Sequence, residues 1–117
     1  MRERVRYAAT VSKYVIIHFG IPSEHDWEHN AEHAVEALRK GLAKYYDETV
    51  VVVDDEPIQG HPLTAIEVMI VDADELYGPR RGKTLIKEVV HEGKQIMARL
   101  FHVRPYDITV DVFEDTL

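Results

Sequence analysis

Apolar positions along the 117-residue chain alternate between the two-residue period of strands and the longer period of helices. Val11 to Phe19 (VSKYVIIHF) is rich in β-branched and aromatic residues and reads as a strand, with a helix over Tyr7 to Phe19, stopped by Gly20, as the alternative. Ser23 suits an N-cap, with Asp26 three residues later and Pro22 before it, so a helix is expected from Glu24 to about Tyr45. At about 100° per residue, Trp27, Ala31, Ala34, Val35, Leu38, Leu42 and Tyr45 share one arc, the core stripe of a surface helix. Strands follow at Thr49 to Val53 and at Thr64 to Asp72. Ala73 to Gly82, with Gly-Pro and Arg-Arg-Gly, reads as a loop. A second helix is expected from about Lys83 to Phe101 and a last strand from Ile108 to Phe113.

The order is strand–helix–strand twice over, which predicts an α/β (α+β) chain. Duplicated β-α-β units would form a four-stranded mixed sheet with both helices on one face. The strands are apolar on both sides: Val15, Ile17, Ile66, Val68 and Ile70 point one way, Ile16, Met69 and Val71 the other. Two helices cover one face only, so another copy of the chain is expected on the second.

Size adds one constraint, since 117 residues form a single domain, 1–117, on ordinary grounds. The chain has no cysteine, which excludes disulfides, thiolate chemistry and Cys-based metal sites. No apolar run approaches membrane-span length. The N-terminal stretch is basic, and Lys13 and His18 interrupt its apolar part, so it reads as mature sequence of a cytoplasmic protein. A net charge of −7 with carboxylates spread along the chain argues against nucleic acid as a partner.

The segment IEVMIVDADELYGPRRGKTLIKEVVHEGKQIMARLFHVRPYDITVDVFED, Ile66 to Asp115, resembles a unit of the tautomerase superfamily. The resemblance rests on a leading strand, a crossover helix with an LI-x-E-V-like pattern and a closing strand of the RPYDITVDVFED kind. It implies a trimer and a small isomerase or lyase acting on a carboxylate-bearing metabolite. Members of that superfamily use an N-terminal proline as the base; here Met1 is followed by Arg2, and Pro62 lies inside the chain. A non-enzymatic oligomeric ligand-binding domain of ferredoxin-like type is the competing expectation.

Candidate chemistry gathers at few places. His61, in the turn Gly60 to Leu63, is the candidate proton carrier, and Arg80 with Arg81 is the candidate pair for a substrate anion. His25, His29 and His33, four apart, lie opposite the apolar stripe of the first helix. Two of them can share a metal ion, whereas the third stands about 12 Å along the axis from the first. The expectation is an exposed ladder pairing with acids, such as His33 with Glu36, and neither a metal nor a cofactor is expected; a metal-binding protein using the ladder remains the further alternative. No phosphate loop, nucleotide fingerprint or nucleophile elbow is present.

Overall fold

The computed structural model describes residues 13–22, 27–58, 64–71 and 73–116. Among them the elements run β1 (Lys13–Gly20), α1 (Trp27–Ala43), β2 (Val51–Val53), β3 (Ala65–Val71), α2 (Ala73–Phe101), a 3-10 turn (Pro105–Asp107) and β4 (Val110–Thr116). The chain is α+β, and its first strand is a strand and not the alternative helix. The sheet has the order β2-β3-β1-β4. Every neighbouring pair in it is antiparallel, which corrects the expected mixed sheet. The reason is interleaving. β1 and β2 run the same way on either side of β3, while β3 and β4 run the same way on either side of β1. Each β-α-β crossover is therefore split by a strand of the other half, the arrangement of ferredoxin-like folds.

Register decides which residues face the helices. Ile17 stands opposite Val68 and Phe19 opposite Ile66, and all four are fully buried together with Ile70. From α1, Ala31, Ala34, Val35, Leu38 and Leu42 complete that core, as the helical stripe requires. Tyr45 departs from the stripe and is 67% exposed. The helix ends at Ala43, two residues earlier than the phase argument needs, so Tyr45 no longer follows the helical repeat. Tyr46 packs against the core in its place.

The segment expected to be a loop is helical. α2 begins at Ala73 and is interrupted only at Gly78, with φ 84° and ψ 158°. That backbone region belongs almost entirely to glycine. Pro79 directly after it is tolerated because the first turn of a helix has no use for its missing N–H. The Gly-Pro pair thus marks a kink between two helical stretches, and Arg80, Arg81 and Gly82 lie within the second. Further along, a Cβ on Gly93 would overlap the buried Phe19 ring, so this glycine sets how closely α2 lies on β1.

The far end of α2 closes with His102 in the left-handed region, φ 58°. The Val103 N–H donates to the Ala98 carbonyl at 3.1 Å, the long bond of a Schellman cap. Among the described residues, no helix is long and apolar enough to cross a membrane.

Candidate functional site

Both helices pack on the sheet face that carries Ile17, Phe19, Ile66 and Val68, and among the described residues no helix packs on the other face. Alternation along each strand puts Ile16, Met69, Val52 and Phe113 there. Pairing aligns them in one apolar row across all four strands: Phe113 opposite Ile16, Ile16 opposite Met69, Met69 opposite Val52. Phe113 is 49% exposed.

The neighbouring row on the same face is polar. His18 lies between Glu67 on β3 and Asp111 on β4. His18 Nε2 is 3.1 Å from Glu67 Oε1, with the two side chains only 20% and 21% exposed. A carboxylate oxygen accepts, so Nε2 is the donor in this contact and Nδ1 is the ring nitrogen turned away from Glu67. The Phe113 ring meets the imidazole edge to face, with centroids 5.1 Å apart, and shields one side of it from water. An oriented histidine on a half-dry surface has the parts needed for proton transfer.

Of the three expected site residues, Arg80 and Arg81 fall among the described residues. His61 lies outside them. Arg80 is exposed on α2. Arg81 lies on the helix layer, across the sheet from His18, and its guanidinium donates to Glu88 Oε2 at 2.6 Å. That hydrogen bond holds the Glu88 carboxyl below the usual carboxylate range. The Tyr46 hydroxyl donates to the same carboxylate at 3.5 Å. Burial first, then the Glu88 and Glu92 charges, push its phenol up to about 12.

His29 and His33 stand on the exposed side of α1 with ring centroids 6.1 Å apart. His25 and the expected cap Ser23 lie outside the described residues. Glu36, the acid expected to serve His33, pairs with Arg39 at 3.6 Å and Lys40 at 3.5 Å. Full positive charges on the same helix outcompete an imidazole for it. Among the described residues, no group of three or more potential ligands is placed to hold a metal ion.

No family model, curated protein or solved structure matches the chain. His18 and Glu67 were missed by sequence reasoning, although a signal for them existed. Each is a lone polar residue inside an apolar strand, VIIHF and AIEVMIV, and a polar side chain there needs a partner. What the pattern lacked was the register that makes them cross-strand neighbours.

Proposed function

We propose that the protein is a homo-oligomeric, isomerase-like enzyme that moves a proton on a small enolisable carbonyl metabolite, with His18 as the base and Glu67 as its positioning residue. The observation that carries this reading is the half-buried His18–Glu67 pair beside an apolar row on the sheet face that neither described helix covers. A second copy on that face would exclude water and strengthen both the pair and its hydrogen bond. The resemblance to the tautomerase superfamily favours a trimer and the same reaction class, with histidine taking the role of base that proline has in those proteins. Glu67 and Asp111 flank His18, so a neutral or zwitterionic carbonyl compound suits the site better than the carboxylate-bearing one expected from Arg80 and Arg81.

The rival reading is a non-enzymatic oligomeric binding domain. It gains from the engagement of Arg81 by Glu88, which takes away the carboxylate clamp that the sequence suggested for an enzyme. The two readings separate in a deuterium-exchange experiment. Small neutral ketones and amino ketones are incubated with the protein in D2O, and loss of the proton next to the carbonyl is followed by NMR. We expect exchange to accelerate and His18→Gln to reduce it by about 10² to 10⁴, the usual worth of a general base. Glu67→Gln should give a smaller loss with an altered pH profile. Equal exchange by the wild-type and His18→Gln proteins would leave the binding domain as the better account.

A further inference from the structure

On the helix side, the end of α1 and the flank of α2 enclose a groove of about 560 Å3, lined by Tyr45, Tyr46 and polar side chains of α2. Its size falls in the range of small-molecule sites, roughly 300–1,000 Å3. We infer that this groove binds a small zwitterion of amino-acid size, one that carries an ammonium and a carboxylate.

The charge pattern leads to this class. Arg81 and Glu88 neutralise one another across the groove floor. The charges left are Glu92 on one side, and Lys87 with the ionisable His91 on the other. Among the described residues, none of these three side chains enters an ion pair or a side-chain hydrogen bond. Lys87 and His91 are four residues apart and form one column on α2. Glu88 and Glu92 form another, roughly 100° around the helix. Tyr45 and Tyr46 meet edge to face at 6.2 Å beside the acidic column. Their ring faces attract an organic ammonium, and Glu92 supplies the opposing charge. The upward push on the Tyr46 phenol, from burial and then from Glu88 and Glu92, fits a negative potential on that wall. Lys87 and His91 then stand on the side where a carboxylate one or two carbons from the ammonium would lie. A purely cationic or purely anionic ligand leaves one column unanswered.

The test uses three compounds of similar shape: L-valine as the zwitterion, its methyl ester as the cation and isovalerate as the anion. Each is titrated into the full-length protein, with amide NMR shifts of Tyr45, Tyr46 and His91 and calorimetry as readouts. L-Valine should saturate and bind about tenfold more tightly than either relative, the worth of one lost charged contact. Glu92→Gln and Lys87→Ala should each weaken it by about the same factor. Both positions lie on the helix surface, and unchanged circular dichroism of each variant would show that the fold is intact. No saturable shift with L-valine, or equal binding of the ester or isovalerate, would overturn the assignment.

Discussion

Tyr46 ties the chain just after α1 to α2, because its ring packs against the core while its hydroxyl reaches the Glu88 carboxylate. An ionised phenol there would face burial and two carboxylates, which is why its proton is held up to about 12. The sign of the linkage follows. The folded chain binds this proton more tightly than the unfolded chain, so the group favours folding below about pH 10 and that contribution is lost as pH rises towards 12. Glu88 behaves oppositely, since its depressed value contributes stability that is lost as pH falls through the acid range. Its exposure keeps that contribution small and sensitive to salt. NMR titration of the Tyr46 ring in wild type and in Glu88→Gln should show the variant titrating at lower pH. An unchanged midpoint would mean that burial alone holds the proton.

At the scale of elements, the helical stripe of α1 and the alternation of β3 were legible in the sequence because each has one apolar face and a regular period. Residues such as Leu38 and Ile66 are fully buried as those periods require. The start of α2 was not legible, because Gly78-Pro79 carries the local signal of a loop. It becomes a kink only because the residues on both sides keep helical geometry. The sheet's antiparallel order was hidden for a similar reason. Strand periodicity says nothing about which strand lies beside which, and the split crossover is decided by packing of both helices on one face. His18 and Glu67 suffered from the same gap, since a candidate pair 49 residues apart exists only through register. The cap of α2 gives a direct test of local geometry. His102 sits in a region that costs a side-chain-bearing residue free energy and that glycine enters readily. His102→Gly should therefore stabilise the protein by about 0.5–1 kcal/mol, read as a shift of the denaturation midpoint with unchanged slope. A loss of stability would mean that the imidazole makes a contact worth more than the strain.

For the whole molecule, the two sheet faces make opposite demands on substitution. The helix-covered face is closed by residues such as Ile66 and Val68, each with no exposed surface. An added charge there has no solvent and no partner, so Val68→Glu should prevent folding. The opposite face carries an apolar row of similar chemistry, yet Phe113 in that row is 49% exposed. If the row met only water, Phe113→Glu would change stability by about 0.5 kcal/mol at most, as at ordinary surface positions, and would leave the mass unchanged. If a second copy covers it, the same substitution places a charge in an apolar interface and dissociates the assembly while each chain stays folded. We expect the second outcome, measured by sedimentation equilibrium alongside circular dichroism. Wild type should sediment as a multiple of the 13.5 kDa chain and Phe113→Glu as the single chain. The adjacent row sharpens the comparison, because Phe113 also touches the His18 ring. Phe113→Leu keeps the row apolar and removes only that edge-to-face contact, so it should retain the assembly and isolate the ring's effect on proton transfer. A wild-type protein that already sediments as one chain at micromolar concentration would remove the covering copy from the account, and with it the dry surroundings proposed for His18.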